Sequence, residues 1–77
     1  MEINPRVAII GEYKFLSPYH KRKTYLPFTV LGVDRELQSA NCETVEYKGK
    51  KKIYINDWWS IDNVLEMIDR NILISLN

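Results

Sequence analysis

The stretch Cys42–Asn56, CETVEYKGKKKIYIN, predicts a β-hairpin, and this hairpin decides the fold class. Apolar and polar side chains alternate from Cys42 to Lys48 and again from Lys52 to Asn56, which is the two-residue period of a strand. Gly49 lies between the two segments and can adopt the positive φ that tight hairpin turns require. We therefore predict two antiparallel strands joined at Gly49.

Two further strands are predicted upstream of this hairpin. Residues Arg6 to Leu16 alternate, and Gly11 in their middle predicts a bulge or a sharp bend. Residues Tyr25 to Asp34 alternate as well, and Pro27 should lie near the strand's start or on an exposed edge because it has no N–H. In this second strand the expected positions are Leu26, Phe28 and Val30 on one side and Thr29, Leu31 and Val33 on the other. The segments Ser17–Lys23 and Asp34–Asn41 are predicted to be connections.

A helical period occurs only near the carboxyl end. Ile61, Val64, Leu65 and Ile68 follow the spacing that places them on one helix face. Ser60 is suited to cap the first turn, and Asn71 is a suitable left-handed terminator. Ile72, Ile74 and Leu76 then predict a short closing strand.

The order of elements predicts a mainly β protein of the α+β class, folded as a single domain over residues 1–77. We expect a small, partly open barrel of about five antiparallel strands with one short helix near the C-terminus, because curling the sheet removes exposed edges. A flatter sheet with the helix across one face is the alternative.

Three features resemble small SH3-like barrels. They are a strand ending Val30-Leu31-Gly32-Val33-Asp34, the hairpin Glu46-Tyr47-Lys48-Gly49-Lys50, and a strand that leads into Trp58-Trp59. The resemblance covers about half of the chain and implies a protein-binding or nucleic-acid-binding module without catalytic chemistry. The helix before the last strand is longer than the single 3₁₀ turn of the simplest members.

No catalytic or metal-binding centre is predicted. Cys42 and His20 are the only cysteine and the only histidine, too few for a four-ligand zinc site. A nucleophilic Cys42–His20 pair has no support in the local sequence, and Cys42 fits a half-buried structural position in a strand. The glycines are isolated, so no phosphate-binding loop is predicted. We expect no cofactor and no enzymatic activity.

Composition predicts a cytoplasmic protein. Met1–Arg6 lacks the basic and apolar regions of a signal peptide, no apolar run approaches the ~20 residues of a membrane span, and a lone cysteine suits a reducing compartment. Charge is uneven along the chain. Residues 1–52 carry ten Lys and Arg against six Asp and Glu, whereas residues 53–77 carry one against four.

Trp58-Trp59 is the feature that predicts a binding role. Adjacent residues of a strand face opposite sides, so one indole should be in the core and the other exposed as an interface anchor. We expect a protein partner to dock on an aromatic patch with a basic rim. The residues predicted for this patch are Trp58, Trp59, Tyr54, Tyr47 and Tyr25. Such a small protein would suit a phage-encoded inhibitor or regulator of a host complex.

Nucleic-acid binding is the alternative function. Cations interleaved with aromatic side chains suit a single-strand binder, because cations contact phosphates while aromatic rings stack on bases. Solvated lysines that protect a sheet edge would give the same pattern. The two cationic clusters are Lys21, Arg22 and Lys23, next to Tyr19 and Tyr25, and Lys48, Lys50, Lys51 and Lys52, next to Tyr47 and Tyr54.

Overall fold

The computed structural model describes residues 9–19 and 21–76 and shows a mainly β protein. The strands form one open antiparallel sheet in the order β4-β3-β2-β1-β5, with a single short helix between β4 and β5. This arrangement is consistent with a small SH3-like partly open barrel and confirms the predicted fold class. The elements are β1 (Gly11–Leu16), β2 (Tyr25–Asp34), β3 (Ser39–Lys48), β4 (Lys51–Ser60), α1 (Ile61–Asp69) and β5 (Leu73–Ser75).

The β3–β4 hairpin is confirmed and is longer than predicted. Each strand has ten residues, and Gly49 makes the turn with a φ of 62°. The predicted connection over Asp34–Asn41 is present but shorter, because Asp34 ends β2 and Ser39 already begins β3. The short turn between them is held by the Asp34 carboxylate, whose Oδ1 accepts hydrogen bonds from the N–H groups of Glu36 and Leu37. A local carboxylate–backbone turn of this kind needs few residues.

A bulge lies in β2, whereas Gly11, where a bulge or a sharp bend was predicted, is the first residue of β1 and pairs in regular register with Val30. The register with β3 shifts between Val30 and Gly32, so Leu31 is the extra residue. Because of this shift, Val33 lies on the core face together with Val30. Simple alternation had predicted that Val33 lies on the opposite face. The first strand begins at Gly11, and the predicted strand residues 6–8 lie outside the described residues. The predicted strand positions Ile9 and Ile10 precede β1.

The core lies between α1 and one face of the sheet. The helix packs against β3, β4 and β5 and buries Ile61 and Val64. Ser60 caps the helix as predicted, because its Oγ accepts a hydrogen bond from the Asn63 N–H at 3.1 Å. Asn71 ends the helix with a φ of 60°. The main buried residues are Ile9, Tyr13, Phe28, Val30, Ala40, Cys42, Ile61, Val64 and Leu73.

The closing strand is confirmed, but its inward position is Leu73. Leu73 is 1% exposed, whereas Leu76 is 59% exposed. The turn that follows α1 occupies residues 70–72, so the first inward position of β5 falls one residue later than the predicted series of Ile72, Ile74 and Leu76. In the described part of the chain, no helix combines the length and apolar character needed to cross a membrane.

The molecule is elongated and has two distinct ends, with extents of 47 × 22 × 20 Å. Antiparallel neighbours alternate in direction, so the β1–β2 connection and the β3–β4 turn lie at one end of the sheet. We call this the loop end and define it as the described residues of segments 17–25 and 46–54. The β2–β3 turn and the start of α1 lie at the opposite, helix end, defined as segments 34–38 and 57–62. From there α1 runs back along the sheet, and the turn after it meets the end of β1, where the Leu16 N–H donates to the Ile72 carbonyl at 2.8 Å.

Candidate functional site

The two cationic clusters come together at the loop end. One lies in the β1–β2 connection and the other at the tip of the β3–β4 hairpin. All of their side chains are exposed, and Glu46 is the sole carboxylate among the described loop-end residues. The cations are Lys21, Arg22, Lys23, Lys48, Lys50, Lys51 and Lys52. The sequence predicted both clusters, and the sheet order places them at the same end of the sheet.

The helix end carries the opposite charge. Its one arginine, Arg35, is outnumbered by acidic residues. The separation gives the described chain an electrostatic polarity along its long axis, which can orient an anionic ligand towards the loop end. The acidic residues are Asp34, Glu36, Asp57 and Asp62.

Three predicted tyrosines share the sheet face that α1 does not cover, which we call the open face. Strand pairing places Tyr47 opposite Lys52 and Tyr54 opposite Val45, and directly opposed residues share a face. Tyr25 lies on the same face in β2, and the Lys14 Nζ lies 4.5 Å from its ring centroid, a cation–π contact. Tyr25, Tyr47 and Tyr54 are 39%, 53% and 60% exposed.

The two tryptophans point to opposite sides, as strand alternation predicted. Trp59 packs edge-on against Phe28 with ring centroids 5.7 Å apart, whereas Trp58 is 55% exposed. Trp59 is thus the partly buried indole that packs against the core, as expected for one of the two tryptophans. Its indole Nε1 is buried and has no hydrogen-bond partner among the described residues.

Trp58 lies on the open face but at the helix end. Lys52 is on the same face of β4, and six residues separate the two positions. At the usual strand rise this separation is about 20 Å. The predicted basic rim therefore surrounds the tyrosines and does not reach Trp58.

A cleft opens between the two hairpin tips because the β2–β3 ladder stops early. The Leu16 N–H donates to the Ile72 carbonyl at 2.8 Å, so the even-numbered residues of β1 face β5 and the odd-numbered ones face β2. Phe15 pairs with Leu26, so the Leu26 backbone faces β1. Backbone groups of successive strand residues point to opposite sides, and the Pro27 backbone therefore faces β3. Proline has no N–H to donate, and the pairing accordingly ends at Phe28 and Thr44.

The cleft has a volume of about 610 Å³ and an aromatic floor. Phe15, Phe28 and Trp59 form that floor, with the two phenylalanine rings 6.2 Å apart. Tyr19 and Tyr47 stand at its sides. Sequence reasoning missed this cleft, although a proline inside a predicted strand was a signal that pairing would be interrupted there.

Cys42 is fully buried in β3, deeper than the half-buried position predicted for it. Burial, followed by the nearby Asp57 carboxylate, raises the pKa of its thiol to about 11. Since the thiolate is the nucleophilic form, this side chain is unsuited to nucleophilic catalysis. The predicted partner for such chemistry, His20, lies outside the described residues. Among the described residues, no group of three or more His, Cys, Asp or Glu side chains could hold a metal ion.

We expect Cys42 to resist a thiol reagent in the folded protein and to react in denaturant. Because folding holds the thiol protonated, the free energy of unfolding should also fall as pH rises from 9 towards 11, where the unfolded chain has already lost this proton. Ellman titration at pH 8 with and without urea measures the first effect. Equal reaction rates in both conditions would contradict the buried placement.

The chain matches no known protein family, no curated protein and no solved structure. Its function must therefore be inferred from its own residues and their placement.

Proposed function

We propose that this protein binds single-stranded nucleic acid at the loop end and along the adjoining tyrosines of the open face. The observation that carries the proposal is the convergence of both cationic clusters around exposed aromatic rings. Cations supply the phosphate contacts that dominate affinity for nucleic acids. Aromatic rings supply stacking surfaces that accept any base.

The geometry of the open face suits an extended strand. Tyr47 and Tyr54 lie on neighbouring strands at diagonal positions, since Tyr47 opposes Lys52 and Tyr54 opposes Val45. Diagonal neighbours across a sheet are ~7–8 Å apart, a distance that permits two bases of one strand to contact both rings. Lys52 lies beside the rings on the same face and can contact the phosphate between them.

The direct test is fluorescence anisotropy with a labelled single-stranded oligonucleotide of about 15 residues, near the upper site size of small barrel domains. We expect binding at low salt and a linear fall of log affinity with log salt, with ~0.7 in slope per phosphate contact. Absence of binding at low salt would exclude this function.

Substitutions of the tyrosines distinguish binding by base stacking from binding by charge attraction alone. Tyr47→Ala combined with Tyr54→Ala should weaken binding at least about 30-fold while the salt slope stays unchanged, because two rings are lost and stacking contributes ~1–3 kcal/mol per base. Tyr47→Phe with Tyr54→Phe should bind like the wild type. Leu37→Ala, at an exposed position of the helix end, is the matched control. Equal affinity of all variants would show that the rings do not contact the ligand.

Docking of a protein partner is a second candidate, and the exposure of Trp58 favours it. A half-exposed tryptophan on an uncovered sheet face is a common interface anchor. Trp58→Ala should then abolish capture of that partner while the variant stays folded, and Lys21→Gln with Lys23→Gln should leave capture intact. The opposite pattern would assign the partner to the loop end. A role as a phage-encoded inhibitor or regulator stays a prediction.

A further inference from the structure

The outer side of β4 is a long open sheet edge. The sheet ends on β4 and β5, and β5 has only three residues whereas β4 has ten. No strand in the described part of the chain pairs with the outer side of β4. Open edges of this length offer a row of backbone donors and acceptors to another strand.

The backbone groups that face outwards can be assigned. The Trp58 N–H donates to its neighbour, the Asp57 Oδ1, at 2.8 Å, so Trp58 directs its backbone away from β3. Because alternate residues of a strand direct their backbone groups to opposite sides, Lys52, Tyr54 and Asn56 face outwards as well.

We propose that β4 pairs antiparallel with β4 of a second copy, about a two-fold axis that passes beside Tyr54. In a symmetric antiparallel pair, side chains that oppose each other must lie on the same face of the sheet. This condition holds only when the two-fold axis passes beside a residue, so that this residue opposes its own copy. A centre at Lys52 would oppose two identical cations. A centre at Tyr54 places Lys51 of each copy opposite Asp57 of the other.

The same register matches the remaining side chains. Ile53 lies opposite Ile55 of the second copy on the face that bears α1, and the two Tyr54 rings meet on the open face. Lys50 then lies near the exposed Trp58 of the second copy, a cation–π arrangement. Registers centred at Ile53, Ile55 or Asn56 bring no cation directly opposite a carboxylate.

The charge polarity of the whole molecule favours the same arrangement. A two-fold axis reverses the direction of the second copy, so the cationic loop end of one lies beside the acidic helix end of the other. The cations of the β1–β2 connection are remote from this edge. Pairing at β4 would cover Tyr54 and engage Lys50 and Lys51, which also belong to the proposed nucleic-acid surface, but its tests contain no nucleic acid, so either proposal can fail while the other stands.

Disulfide trapping tests both the contact and its register. In the proposed pair the two copies of position 54 oppose each other with Cα atoms ~5.5 Å apart, within the range of a disulfide. Tyr54→Cys should form a covalent dimer with oxidised glutathione, whereas the wild type should not, because Cys42 is buried. Ile55→Cys alone should cross-link more slowly, and a mixture of Ile53→Cys and Ile55→Cys chains should cross-link to each other.

Charge exchange tests the Lys51–Asp57 contact without introducing cysteine. Sedimentation of Lys51→Asp and of Asp57→Lys, over a roughly hundredfold range of concentration, should show weaker self-association than the wild type, and the double variant should restore it. Circular dichroism of each variant confirms folding. A monomeric wild type throughout, equal cross-linking at positions 54 and 55, or no restoration in the double variant would overturn the proposal.

Discussion

Trp59→Ala is expected to lower the free energy of unfolding by about 3–5 kcal/mol, the usual cost of truncating a large aromatic side chain in a core. Trp59 packs edge-on against Phe28 and is partly buried against the core. A domain of this size has a total stability of roughly 4–12 kcal/mol, so the variant should lose a large fraction of its stability. Trp58→Ala removes a half-exposed ring and should cost less than about 1 kcal/mol.

Trp59→Phe is the matched variant that keeps an aromatic ring at this position and removes the indole N–H. The buried Nε1 has no partner among the described residues, so a phenylalanine loses no hydrogen bond to them. The variant should stay within about 1.5 kcal/mol of the wild type, as other conservative core replacements do. Urea unfolding followed by circular dichroism measures all three variants. A Trp59→Ala protein as stable as Trp58→Ala would contradict the assignment of Trp59 to the core.

Lys21→Gln combined with Lys23→Gln should weaken binding of single-stranded DNA about 25-fold at ~0.1 M salt. This follows because each lost phosphate contact changes log affinity by ~0.7 per decade of salt, or about fivefold at that concentration. The salt slope should decrease by about 1.4. Both side chains are exposed in the β1–β2 connection, so the fold should be unaffected.

Arg35→Gln is the control for that experiment, compared with Lys21→Gln alone. Each variant removes one positive charge, the first from the helix end and the second from the loop end. Binding should change by less than about twofold in Arg35→Gln, since this residue does not contact the ligand. Equal losses in the two single variants would show that only net charge matters and that the loop end is not the site.

Local patterns predicted the elements whose formation depends on nearby residues. Gly49 marked the hairpin turn, and Ser60 and Asn71 marked the limits of α1. The bulge at Leu31 was not predictable, because it depends on the register between β2 and β3. The early start of β3 at Ser39 was missed because its first residues are mostly polar. They belong to the strand because they pair with β2 and β4, and a hydrophobic pattern does not reveal such pairing.

The candidate site was predicted in its parts and not in its arrangement. The cationic clusters and the tyrosines were identified from their spacing, but their meeting at one end follows from the strand order. Adjacent tryptophans were correctly expected on opposite faces, yet the sequence could not tell which one is buried. Trp59 is inward because it lies directly opposite Ala40, which is itself in the core.

The central proposal is that topology turns two separate cationic segments and their tyrosines into one surface for single-stranded nucleic acid. Amide chemical shifts of ¹⁵N-labelled protein, recorded during titration with an oligonucleotide at low salt, test this residue by residue. We predict changes concentrated in residues 21–25 and 46–54, with α1 unaffected. An unchanged spectrum, or changes centred on Trp58 and α1, would contradict it.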